Sequence, residues 1–180
     1  MLDILYKAIA EELKSQRAKD IFATYGLEDV AHVDLFNNQY LYEESERAYP
    51  LPAVFVEFSE ATIRQQGRNT DASQELVNLH LESKELGSTR YRTIDSQRME
   101  KALEHLRLVA AVNEVVKGIS HPAFSRLIGV GRKLDSDHEG VPVHIISYST
   151  SLHDLSCDSW KALTETAGAG LELGKRVMRQ

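Results

Sequence analysis

Six consecutive residues, Ala53-Val54-Phe55-Val56-Glu57-Phe58, set the tightest limit on what this chain can fold into. Most are β-branched or aromatic, and they are apolar at both odd and even positions. An extended strand here would present apolar groups on both faces, so it belongs inside a sheet that is covered above and below. Pro50-Leu51-Pro52 stops any preceding helix and delivers the chain to this strand in extended form. A second strand is expected at residues 76–82, where Val77, Leu79 and Leu81 alternate with Asn78, His80 and Glu82. That alternation gives one apolar and one polar face.

Around these strands the pattern turns helical. Leu2, Leu5, Ile9 and Leu13 predict an amphipathic helix over residues 2–17, with Tyr25-Gly26 as a later break. Val33 and Leu35 suggest a short strand, and Leu41-Tyr42-Glu43-Glu44 a helical turn. A long helix is expected after Asp95 as N-cap, with Met99, Ala102, Leu103, Leu106, Val109, Ala110, Asn113 and Val116 on one stripe. Gly118 would end it in a left-handed cap. Residues 124–132 and 141–148 read as an antiparallel hairpin, with Gly140 easing the turn and Gly129-Val130-Gly131 marking a bend or bulge. Residues 59–74 and 83–94 are polar and read as surface connections.

The expected fold class is α+β: a mostly antiparallel sheet of four to five strands, with the N-terminal helix and the second long helix packed on one face. Residues 1–154 form the domain and residues 155–180 a C-terminal tail that is loose or docks elsewhere. Phe55, Leu79, Leu103 and Leu106 are the expected core.

Charge and cysteine usage narrow the function. A net charge of −6 argues against a duplex-DNA binder, whose affinity depends on neutralising phosphates, but does not exclude a protein that lets DNA pass without binding it. The single cysteine, Cys157, excludes an internal disulfide and any multi-cysteine metal site. Asp3, Lys7, Glu11 and Glu12 interrupt the N-terminal apolar residues, unlike a signal peptide. No window approaches the 18 or so uninterrupted apolar residues of a membrane span, so the expected location is the cytoplasm, with no membrane partner.

The densest polar cluster is Asp135, Asp137, His138 and Glu139. Alternating acids resemble a calcium loop, but no further acid follows at the required distance, and short polar side chains also build a solvated hairpin tip. The seven histidines show no zinc-ligand spacing; His80 and His144, both on predicted strands, are the two placed to meet across a sheet. Cys157 has no histidine beside it, no Gly-x-Ser-x-Gly turn occurs, and Arg64, Arg68, Arg90 and Arg92 are scattered through connections. No catalytic, cofactor-binding or metal residue is assigned, and no cofactor or enzymatic activity is expected.

The element order and several phrases resemble the tail terminator, or tail-completion, proteins of long-tailed bacteriophages and prophages. The phrases are residues 32–39 (HVDLFNNQ), residues 52–58 (PAVFVEF), Leu79-His80-Leu81, the helix over 102–116, and Asp135-Ser136-Asp137-His138 leading to Tyr148. Phe36 stands where that family carries a tryptophan. The resemblance implies a structural subunit that closes on itself into a ring, commonly a hexamer. Such a ring ends tail-tube growth and joins the tube to the head connector. Its expected partners are further copies of itself, the tail-tube protein, the connector and DNA passing unbound through the lumen. It would assemble in the host cytoplasm and reside in the virion tail. Two alternatives stand beside it: a metal-dependent hydrolase built on Asp135, Asp137 and His138, and an adaptor of a contractile injection machine.

Overall fold

A computed structural model describes residues 1–39, 49–65, 71–83, 96–135 and 143–153. Its elements are α1 (Leu2–Leu13), α2 (Gln16–Thr24), β1 (His32–Leu35), β2 (Ala53–Gln65), β3 (Asp71–Glu82), α3 (Ser96–Lys117), β4 (Ile128–Asp135) and β5 (Val143–His153). The strands make one sheet in the order β1-β2-β3-β5-β4. β1 runs parallel to β2 and every other pairing is antiparallel. The α+β expectation therefore holds, with three helices rather than two on one face.

The helical face carries the main core. Val54 and Val56 of β2, Val77, Leu79 and Leu81 of β3, and Ile146 and Tyr148 of β5 are buried together with Leu5, Ile9 and Leu13 of α1, Ala18 and Phe22 of α2, and the inner stripe of α3. Tyr148 is wholly enclosed, yet its hydroxyl donates to Asn113 Oδ1 at 3.0 Å, so no polar group is stranded. Ala53, Phe55, Val143 and Ile145 form a smaller cluster on the other face, under Phe36, Tyr49 and Leu51. Ala53 to Val56 is thus buried on both sides, as its composition predicts.

The predicted first helix is in fact two. Ser15 is extended and its side chain accepts from Ala18 N, capping a separate α2. α2 ends at the expected break: Gly26 has φ +69°, its N–H reaches Ala23 O, and Leu27 N reaches Phe22 O. Both bonds belong to a Schellman turn, which needs a left-handed residue and so favours glycine. Lys14 Nζ then ties the helices to β1 by donating to Val30 O at 2.8 Å and Ala31 O at 2.7 Å.

Three further expectations change. Residues 59–74 are not a loop through their whole length, because β2 continues to Gln65 and β3 begins at Asp71. β1 ends opposite Val56, so beyond Phe58 β2 is itself the sheet edge and residues 59–64 lie exposed. An edge strand wetted on both sides needs no apolar alternation, and its sequence shows none. Gly118 is not left-handed, since Gly26 is the positive-φ glycine among the described residues. A Cβ at 118 would lie 2.1 Å from Arg17 Nη2, so the small residue leaves room for that guanidinium.

The stripe of α3 is also rotated from its predicted phase. Leu108, Val109, Ala111, Val112, Val115 and Val116 are buried, whereas Leu106 is 50% exposed and Ala110 is exposed. The hairpin strands run later than expected, at Ile128–Asp135 and Val143–His153, and the register shift between Gly129 and Gly131 is the anticipated bulge. The turn at 41–44, Asp95, residues 84–94, Gly140 and the 155–180 tail lie outside the described residues.

The corrected stripe makes a direct test. Leu108→Ala should cost about 2–5 kcal/mol, as for other buried leucines, and Leu106→Ala no more than about 0.5 kcal/mol. Urea denaturation of the two variants measures both. Equal losses would mean the helix is phased otherwise.

Candidate assembly surface

β3 is the middle strand of the sheet, and its even-numbered residues build a polar network on the face away from the helices. Asn78 Nδ2 donates to Glu57 Oε2 at 2.7 Å, and Asn78 Oδ1 accepts from Ser147 Oγ at 2.7 Å. His80 Nε2 lies 3.0 Å from the same Glu57 oxygen. Register makes this possible: Asn78 sits opposite Glu57 on β2 and Ser147 on β5. Burial pushes the Glu57 carboxyl up, but the bonds from Asn78 and His80 and the nearby Lys133 outweigh it and leave its pKa lowered. An ionised carboxylate only accepts, so His80 Nε2 carries the proton. Burial lowers the His80 pKa despite the opposing pull of Glu57, which keeps the ring neutral. Phe36 stacks on that ring with centroids 4.0 Å apart and planes 10° from parallel.

The network grades into aromatic cover toward β1. Tyr49 donates to Glu82 Oε2 at 2.7 Å, stacks on His32 at 5.5 Å and meets Phe55 edge-on at 5.0 Å. Glu82 is fully buried beneath it. These contacts hold Tyr49, just before β2, against the sheet.

His80 and His144 do not meet. His144 lies opposite Leu81 and shares its helical face, while His80 faces the other way. The histidine that His144 does meet is His105 of α3: His105 Nε2 and His144 Nδ1 form a short hydrogen bond, and Ser83 Oγ lies 2.9 Å from His105 Nδ1. Each contact has one proton to share, so the Ser83–His105–His144 chain is complete with both rings neutral. Burial, then the neighbouring His144, lowers His105 to a pKa of about 4; burial, then Arg132, lowers His144. The hollow beside Ser83 and Leu108 is about 20 Å³, room for roughly one water. This is a buried structural network, and no spacing rule could find it, because His105 lies 39 positions from its partner.

Among the described residues no group of three or more His, Cys, Asp or Glu is placed to hold a metal ion. Asp135 ends β4, while Asp137, His138, Glu139, Arg68, Arg90, Arg92 and Cys157 lie outside the described residues. Arg64 sits on the exposed edge of β2. No helix among the described residues is long and apolar enough to cross a membrane.

Exposed apolar side chains concentrate at the sheet's margins. Ile128, Val130 and Leu134 of β4 are 63%, 55% and 52% exposed, and Leu35 of β1 and Ile63 of β2 are 46% and 68% exposed.

Comparison with known proteins adds a fold. No family model and no curated protein matches the chain. Among solved structures, a chain from the virion of a native gene transfer agent particle is similar to it, with a TM-score of 0.50 and 11% sequence identity. The likeness covers 83% of this chain and 94% of that one, so the two share a fold over nearly the whole of the neighbour.

Two measurements test the networks. His105 binds its proton more weakly folded than the ordinary histidine value of 6.5, so between about pH 6.5 and 4 the unfolded chain takes up a proton that the folded chain refuses. Stability should be full above that window and fall as pH drops through it. The loss should be on the order of 2 kcal/mol by about pH 4.5. Thermal unfolding across that range reads it, and His105→Gln should flatten the descent. On the other face, Asn78→Ala strips a donor from Glu57 and an acceptor from Ser147. It should cost about 1–3 kcal/mol in denaturant titration.

Proposed function

We propose that this protein is a structural, non-catalytic subunit of a phage-like particle. It closes with further copies of itself into a ring that ends the tail tube and joins it to the head connector. The observation that supports this most is the fold shared with a chain of a gene transfer agent virion along 94% of that chain's length. The phrases at 32–39, 52–58 and 79–81, which carry the resemblance to tail terminators, fall on β1 and the turn after it, on β2 and on β3. Those elements make up one side of the sheet, from its β1 edge to its central strand β3. Assembly between unlike patches closes rings when the rotation between neighbours permits, and the exposed edges supply such patches. An acidic chain suits a lumen through which DNA slides, since like charge avoids tight phosphate contacts. The exposed edge of β2, residues 59–64 with Ile63, is the element we assign to contact with the tube.

Electron microscopy of a lysate lacking the gene tests the reading. Tubes of abnormal length, unjoined to heads, are expected. Normal tails on full heads would overturn the terminator role, and loss of a contractile injection machine with intact phage would favour the adaptor reading. Ile63→Asp should leave the melting temperature unchanged and reduce the number of joined particles.

A further inference from the structure

The two rims of the sheet carry unlike charge, and from this we infer which surfaces meet. We propose that the β4 rim of one subunit packs head-to-tail against the β1 rim of a second copy of this chain, basic and aliphatic side chains against acidic ones. The inference builds on the ring reading above and adds its interface.

Among the described residues β4 has β5 as its one strand neighbour, and it is exposed along residues 128–134. Its aliphatic side chains, Ile128, Val130 and Leu134, share the strand with two adjacent cations. Arg132 and Lys133 lie on the strand, Arg126 just before it, and Lys117 of α3 comes close enough that its Cε would be 3.9 Å from a Cβ on Gly129. From 117 to 135 the sequence holds four Lys or Arg and one acid, Asp135, in a chain whose total is −6. The rest of any second copy is therefore strongly acidic.

The opposite rim is the complement. Residues 28–35 hold Glu28, Asp29 and Asp34, with no Lys or Arg, and end in the exposed Leu35. Nearby cations offset them in part: Lys19 lies 3.8 Å from Asp29 and Lys14 donates to the carbonyls of Val30 and Ala31, whereas Lys7 lies 3.9 Å from Asp3, so an acidic excess remains.

Strand addition is not the mode of contact. On β1, Leu35 N donates to Asp34 Oδ1 at 2.8 Å and Leu35 O accepts from Gln39 Nε2 at 2.5 Å, so the outward backbone groups of Leu35 are already occupied. β4 carries a bulge and two cations, which break a regular ladder. The rims must then meet through side chains. Contact of β4 with another β4 would oppose cation to cation, whereas β4 against β1 is heterologous, the kind of contact that closes a ring when the rotation between neighbours permits. Duplex DNA is the other polyanion a basic rim fits, but phosphates gain nothing from Ile128, Val130 and Leu134. A protein surface buries them.

Charge reversal tests this in purified full-length protein, by light scattering coupled to size exclusion. Wild type should assemble beyond the dimer. R132E/K133E and D29K/D34K should each weaken self-association at least about tenfold at low salt. Mixed, the two variants should restore assembly at equal stoichiometry, and a chain carrying all four changes should assemble alone. Val130→Asp, checked for folding by circular dichroism, should weaken assembly through the apolar part of the same rim. A monomeric wild type, undiminished assembly of R132E/K133E, or failure of both rescues would overturn the proposal. So would salt-sensitive binding of a duplex oligonucleotide that R132E/K133E abolishes while assembly is unchanged. If the rescues succeed but gene-deleted lysates hold normal joined tails, the interface stands and the terminator role falls.

Discussion

β3 has to be covered on both faces at once, by two different kinds of material, and the rest of the molecule is arranged around that requirement. Its odd residues, Val77, Leu79 and Leu81, are buried under three helices. Its even residues, Asn78, His80 and Glu82, include two buried polar groups and one half-buried, and buried polar atoms are costly unless bonded. The partners come from both neighbours and from outside the sheet: Glu57 from β2, Ser147 from β5, Tyr49 from the chain before β2. A slip of one residue in register would put carboxylate and imidazole under the helices and valine and leucine over the open face. The polar network therefore fixes the register more sharply than apolar packing alone, because aliphatic contacts tolerate small rearrangements and a hydrogen-bond set does not.

What the sequence discloses follows burial. Ala53 to Val56 and the alternation at 77–82 were legible because each side chain there faces one defined environment. The strand at 59–65 was not, because an exposed edge imposes no pattern on its residues, and 71–75, though flanked by β2 and β5, carries no apolar alternation. α2 was missed although its start signal, Ser15, is plain; the apolar spacing of α1 simply ran on across it. α3 shows a different limit. Leu103, Leu106, Leu108, Val109, Val112 and Val116 surround much of the helix, so period alone leaves its rotation open, and packing chose the side of Leu108 over that of Leu106. The candidate surface was less legible still. The Gly129–Gly131 bulge could be read locally, but the Glu57–Asn78–His80 network and the His105–His144 contact depend on strand register and helix docking.

The same division between bonded face and exposed rims bears on how copies of such a subunit can associate. An interface across the open face would have to dehydrate Glu57 further, along with aromatic rings that already have intramolecular partners. The rims are different. Their aliphatic groups are solvated in the isolated chain and gain by burial, while their charges lie at the surface, where complementary pairing costs little desolvation. Surface pairs are individually weak, so they act by selecting orientation: basic against acidic is tolerated and basic against basic is not. A sheet whose two margins are chemically unlike thus favours head-to-tail contact over two-fold pairing. Whether such contacts make a closed ring or an open helix depends on the rotation between neighbours, and the rigid, register-locked sheet holds that rotation the same from one subunit to the next.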